Sequence, residues 1–152
     1  MNNTMPNFSG MISIILVEDI TDYRQALKIL FNNTNGFCCL ADYASAEDCL
    51  NDTIFADADV AIIDLQLPGI NGIELIKALR QKKPALLCML CTAYEEDENI
   101  FHALEAGAHG YILKSTSPAQ ILEAVIEIYN GGSPMSSQVA RKVVQSFRKQ
   151  HA

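Results

Sequence analysis

"VAIIDLQLPGING", Val60 to Gly72, is a run of aliphatic residues that ends in a carboxylate and passes at once into turn residues. Val60, Ala61, Ile62 and Ile63 have the length and continuity of a strand buried on both faces. Pro68, Gly69, Asn71 and Gly72 mark the loop beyond it. Asp64 therefore falls at the carboxyl end of the strand. In open parallel sheets, that edge is where ligands and chemistry collect.

The same alternation of strand and helix extends in both directions. "ISIILV" (Ile12 to Val17) reads as a first strand, followed by a helix with Tyr23, Ala26, Leu27, Leu30 and Phe31 on one face and Gly36 beyond its end. "FCCLADY" (Phe37 to Tyr43) is a second, more weakly patterned strand. Ser45 with Asp48 resembles a capping box for a helix carrying Cys49, Leu50 and Ile54. After the Val60 strand, Gly72 to Gln81 forms the third helix, and "ALLCMLCTA" (Ala85 to Ala93) is the most apolar strand. Glu95 to Ala106 opens acidic, as a helix dipole favours. "GYILK" (Gly110 to Lys114) is the fifth strand. Ser117, Pro118 and Gln120 then supply a cap, a first-turn proline and a capping-box partner for the fifth helix. Five such units imply an α/β fold with a parallel sheet covered on both faces. Residues 1–10 read as a flexible leader, 11–131 as the folded domain and 132–152 as a linker helix. In that last helix Val139, Val143 and Phe147 recur at i, i+4 and i+8. This stripe can fold back on the domain or pair with another chain.

Composition narrows the function. With 49% hydrophobic and 19% charged residues, the chain is ordinary for a soluble globular protein. A net charge of −7 argues against broad attraction to nucleic acid or anionic membranes. No apolar run approaches the roughly 20 residues of a membrane span, and no secretory signal is evident. A cytoplasmic setting is expected. The five cysteines read as core-filling thiols. Cys88 and Cys91 match C-x-x-C, but an offset of three along a strand sends them to opposite faces.

The strand ends carry the chemistry. Strand one ends in Glu18 and Asp19, strand three in Asp64, strand four in Thr92 and strand five in Lys114. Parallel strands bring these ends to one edge. Converging carboxylates repel one another, and a hard cation such as Mg²⁺, which prefers oxygen ligands, relieves that repulsion. Mg²⁺ and a lysine can neutralise phosphoryl oxygens, a threonine hydroxyl can donate to one, and a carboxylate can act as the nucleophile. Asp64 is the best candidate for that nucleophile.

"ILVEDI", "IIDLQLPGINGIELI", "MLCTA" and "GAHGYILK" together resemble the receiver domain of two-component response regulators, from Met11 to Asn130. The resemblance implies a flavodoxin-like (CheY-like) doubly wound five-stranded parallel sheet with five helices, here with a C-terminal linker helix. It implies Asp64 as phosphoacceptor, with Thr92 and Lys114 contacting the phosphoryl group. Glu18, Asp19, Asp64 and the Gln66 backbone carbonyl would hold Mg²⁺, and Tyr111 would be the aromatic switch. The implied partners are a sensor histidine kinase or phosphotransfer protein, and a second copy of the chain as a homodimer. DNA would be reached only through an output domain, and no membrane is involved. The expected behaviour is that of a switch rather than a turnover enzyme, with slow acyl-phosphate hydrolysis influenced by Gln66 and Tyr94.

Lys114 is followed by Ser115, where many receivers have proline, and Pro118 comes four residues on. With "NGGSPMSSQVARKVVQSF" this resembles the NarL/FixJ (LuxR-type) subgroup, whose regulators continue into a helix-turn-helix domain; these 152 residues stop short of one. Other functions fit less well. A haloacid-dehalogenase-type phosphatase needs a second acid where Gln66 stands, and an FMN site would be repelled by Glu18, Asp19 and Asp22. A phosphorylation-independent dimerisation module would not need the acid pocket.

Overall fold

Aliphatic runs become strands here wherever helices can cover both of their faces. The computed structural model describes residues 10–93 and 97–150, so the leader apart from Gly10, Tyr94 and the expected helix start at Glu95 lie outside the described residues. The elements are β1 (Ile12–Val17), α1 (Thr21–Asn32), β2 (Phe37–Tyr43), α2 (Ala46–Leu50), β3 (Val60–Ile63), α3 (Gly72–Lys82), β4 (Leu87–Thr92), α4 (Asp97–Ala106), β5 (Gly110–Leu113), α5 (Pro118–Tyr129) and α6 (Ser137–Gln150). The strands form one parallel sheet in the order β2-β1-β3-β4-β5, the doubly wound architecture expected from the sequence. The order reverses between β1 and β3, so a crevice opens beyond their carboxyl ends.

Alternation along the strands feeds two cores. Ile12, Ile14, Leu16, Val60, Ile62, Met89, Cys91 and Ile112 pack with Leu27 and Phe31 of α1 and with Ile121, Val125 and Ile128 of α5. Ile15, Val17, Ala61, Ile63, Cys88, Leu90, Tyr111 and Leu113 pack with α2, α3 and α4. Cys88 and Cys91 thus lie on opposite faces of the sheet, and both are buried thiols.

Helix ends follow local chemistry. Ser45 accepts from the Asp48 amide and Ser117 from the Gln120 amide, each satisfying an amide that the first turn leaves unpaired. Asn71, a loop residue by its turn chemistry, forms a reciprocal capping box with Glu74 at the start of α3. Ile54 does not belong to α2. The helix stops at Leu50, and Ile54–Asp57 forms a separate 3₁₀ turn. Asp52 explains the break: its carboxylate accepts from the Thr53 amide at 2.7 Å and the Tyr43 hydroxyl at 2.9 Å, competing with helix continuation.

The largest addition is at the β5 edge. Residues 133–136, expected only to interrupt the helices, run alongside β5 as a short strap. The Tyr111 amide donates to the Pro134 carbonyl at 3.0 Å, the Ser136 amide to the Tyr111 carbonyl at 3.2 Å, and the Leu113 amide to Ser136 Oγ at 3.0 Å. Gly110 permits this approach, since a Cβ there would lie 2.9 Å from the Pro134 carbonyl oxygen. The strap delivers α6 onto α4, and Val139 is fully buried in the same core cluster as Tyr111, Ile100 and Ala103. The α6 stripe therefore folds back on the domain, but only in part. Val143 is half-buried, whereas Phe147 is 61% exposed. At 3.6 residues per turn, each i+4 step rotates about 40°, so Phe147 has drifted about 80° from Val139.

Candidate phosphoryl-transfer site

The ladders continue one residue past the strands and so align the polar ends. The Glu18 amide donates to the Tyr43 carbonyl, the Asp64 amide to the Val17 carbonyl and the Lys114 amide to the Thr92 carbonyl, each at 2.9 Å. Glu18, Asp19 and Asp64 each offer a carboxylate oxygen, and these three atoms lie within 4.8 Å of one another. Glu18 and Asp64 are buried and Asp19 is exposed. Thr92 is fully buried at the end of β4. Gln66, two residues after Asp64, lies with its side chain exposed. Gly72 lets the loop close behind Asp64: a Cβ there would fall 2.2 Å from the Asp64 carbonyl oxygen.

Lys114 spans the acids. Its ammonium lies 2.7 Å from Glu18 Oε1 and 3.2 Å from Asp64 Oδ2. Burial works against the charge on Lys114, but the Glu18 hydrogen bond and the Asp64 charge outweigh it and hold the ammonium above its ordinary range. For Glu18, burial is the larger influence and Asp64 adds to it. Together they raise the carboxyl above its ordinary range despite hydrogen bonds from Lys114 and the Ile20 amide. Among the described residues, Asp64 Oδ1 is the one buried side-chain oxygen or nitrogen without a hydrogen-bond partner. A buried, unsatisfied carboxylate oxygen is costly to maintain. The three carboxylate oxygens form the all-oxygen donor set that a hard divalent cation prefers, so this cluster can bind a metal.

The structure thus brings together Glu18, Asp19, Asp64 and Lys114, with Thr92 at the adjoining strand end. Tyr111 is wholly buried in the core cluster on the α4 side. Two neighbours were not singled out for the site from sequence. Arg24 Nη1 donates to the Glu18 carbonyl at 2.7 Å while its Nε bonds Asp42 at 2.9 Å, bracing the loop that carries the acids. The Tyr23 ring lies beneath the Lys114 ammonium, 5.0 Å from its centroid. Tyr23 packs against the core as the α1 stripe predicts, and its ring also meets the lysine at the rim, a contact that periodicity does not encode.

Residues 14–126 match the family model for the response regulator receiver domain. The chain belongs to that family. It is 30% identical over 138 residues to the DNA-binding transcriptional activator DevR/DosR of Mycobacterium tuberculosis, covering 91% of this chain and 64% of the relative. It is 27% identical to the response regulator GacA of Pseudomonas aeruginosa, covering 92% and 66%. The receiver chain therefore spans less than two thirds of the length of these curated relatives. Among solved structures, a LuxR-family two-component response regulator from Aurantimonas sp. is 29% identical with a TM-score of 0.82, covering 90% of this receiver and 98% of that chain. The isolated receiver of RcsB from Salmonella enterica serovar Typhimurium shares the fold, with a TM-score of 0.78 at 20% identity over 88% of this chain and 99% of that one. Among the described residues, no helix of the receiver is long and apolar enough to cross a membrane.

Proposed function

We propose that this receiver is a phosphoacceptor switch in which Asp64 takes a phosphoryl group from a sensor histidine kinase or phosphotransfer protein. The observation that carries the reading is the Asp64 carboxylate itself: one oxygen engaged by Lys114, the other buried and unpartnered beside two further acids. A carboxylate oxygen of Asp64 attacks phosphorus, the bond from phosphorus to the donor breaks, and its electron pair leaves with the donor. Lys114 swings from the carboxylates to the phosphoryl oxygens, and the Thr92 hydroxyl donates to another. Glu18, Asp19, Asp64 and the Gln66 carbonyl are the residues to hold Mg²⁺, which when bound offsets the negative charge gathered there.

The phosphorylated domain then shifts a pre-existing equilibrium, with Tyr111 as the moving aromatic residue at the α4–β5 face and α6 as the connector to an output. That output is transcription, in keeping with the activator named among the relatives. DNA would be contacted by a domain beyond this chain, a homodimer would form, and the protein would act in the cytoplasm. The domain is no turnover enzyme; its acyl phosphate hydrolyses slowly. The test is intact mass after incubation with acetyl phosphate, with and without Mg²⁺, beside Asp64→Asn. A Mg²⁺-dependent gain of one phosphoryl group, absent in the variant, supports the reading. No gain in folded protein overturns it and favours a phosphorylation-independent dimerisation module.

A further inference from the structure

The placement of Tyr23 raises a question that the acid pocket alone leaves open: what keeps the Lys114 ammonium over Asp64 once its carboxylate partners change? Lysine is a flexible four-carbon stem with a compact, strongly hydrated charge, so its direction must be imposed from outside. In this state Glu18 and Asp64 impose it through hydrogen bonds at 2.7 and 3.2 Å. A phosphoryl group on Asp64 would remove the second of these anchors, and a metal held by Glu18 would compete for the first.

Tyr23 supplies a hold of a different kind. Its ring face lies 5.0 Å from the Lys114 ammonium, within the roughly 6 Å at which a cation is attracted to an aromatic face. Such an attraction uses none of the three N–H donors of the ammonium, which remain free to turn towards incoming oxygens. The ring is itself fixed at its far end. Tyr23 Oη and Cys91 Sγ share a hydrogen bond at 3.1 Å, and Cys91 is buried on β4 one residue before Thr92. One side chain from α1 thereby touches the ends of both β4 and β5, the strands that carry Thr92 and Lys114.

We propose that Tyr23 is a positioning residue, its ring holding the Lys114 ammonium over Asp64 during phosphoryl transfer. This rests on the reading of Asp64 as phosphoacceptor. If Tyr23 only filled space, an aliphatic side chain of similar bulk would serve as well.

The experiment uses the full chain with Mg²⁺ and acetyl phosphate, followed by intact mass over time, for wild type, Tyr23→Leu and Tyr23→Phe. Tyr23→Leu is expected to slow phosphorylation about three- to tenfold, and Tyr23→Phe, which keeps the aromatic face, to recover the rate to within about twofold. Alongside, the Lys114 ε-methylene proton resonances of the wild type should be shifted upfield by the ring current of Tyr23. The shift should survive in Tyr23→Phe and vanish in Tyr23→Leu. The wild-type spectrum needs no variant to fold, and an unshifted Lys114 signal there overturns the proposal. So does a Tyr23→Leu protein that is phosphorylated at the wild-type rate, and so do Leu and Phe variants impaired alike. A wild type that takes up no phosphoryl group overturns the Asp64 reading and this inference with it; a wild type that does, with Tyr23→Leu unchanged, overturns this inference alone.

Discussion

The carboxyl edge of the sheet and its β5 edge are built on opposite principles. At the carboxyl edge, side chains matter and the backbone only aligns them: Glu18, Asp64 and Lys114 are distant in sequence and meet because parallel strands end together. At the β5 edge, the backbone does most of the holding. The strap is fastened by amide–carbonyl bonds on both sides of Tyr111, and few of its side chains carry information. The first region tolerates electrostatic strain, with a buried carboxylate oxygen left unpartnered. The second closes an otherwise open strand edge, a feature proteins commonly cover.

If that contrast holds, substitutions in the two regions should separate function from stability. The largest effect expected is Asp64→Asn, which should abolish phosphoryl uptake from acetyl phosphate while leaving the urea midpoint close to wild type. A variant that fails to fold would break the contrast from the pocket side. Val139→Asp should do the reverse. Placing a charge in the core cluster beside Tyr111 should cost about 3 kcal/mol in urea denaturation, with phosphorylation persisting in the folded fraction. Loss of phosphorylation in fully folded Val139→Asp protein would show that the two regions are energetically coupled.

Smaller changes sharpen the comparison. Ser136→Ala removes the acceptor for the Leu113 amide and should cost about 1 kcal/mol, read from the same denaturation curve. The smallest effect is a pH dependence at the rim of the pocket. Burial opposes the charge on Asp42, but hydrogen bonds from Lys28 and Arg24 outweigh it and hold the carboxyl below its ordinary range. A carboxyl lowered on folding stabilises the protein above its unfolded pKa, near 4, and that contribution fades as pH falls through the lowered value. For this partly exposed group it should stay under about 1 kcal/mol. Stability curves of wild type and Asp42→Asn should therefore keep a constant gap above about pH 4 and converge as pH falls below it.

Much of the molecule is legible in its sequence. The aliphatic run ending in Asp64, the caps at Ser45 and Ser117 and the opposed faces of Cys88 and Cys91 all follow from local pattern, because strand alternation and helix capping are short-range effects. What local pattern does not show shares a cause as well. Ile54 left α2 because Asp52 found partners in Thr53 and Tyr43, and Phe147 left the stripe because a straight helix rotates away from a fixed neighbour. Tyr23 does pack against the core, but its second contact, with Lys114, escapes periodicity, which reports which side of a helix is apolar and not what stands opposite it.

By itself, the sequence determined which residues end the strands and which side chains are chemically able to hold a metal or take a phosphoryl group. Hydrophobic period and turn chemistry act within a few residues, so they can be read from a single chain. Only the tertiary structure decided that the strap covers the β5 edge, that α6 docks through Val139 while Phe147 stays exposed, and that Tyr23 lies under Lys114. Those contacts join residues far apart in the chain, and their strength depends on distance and direction in space, which no local pattern encodes.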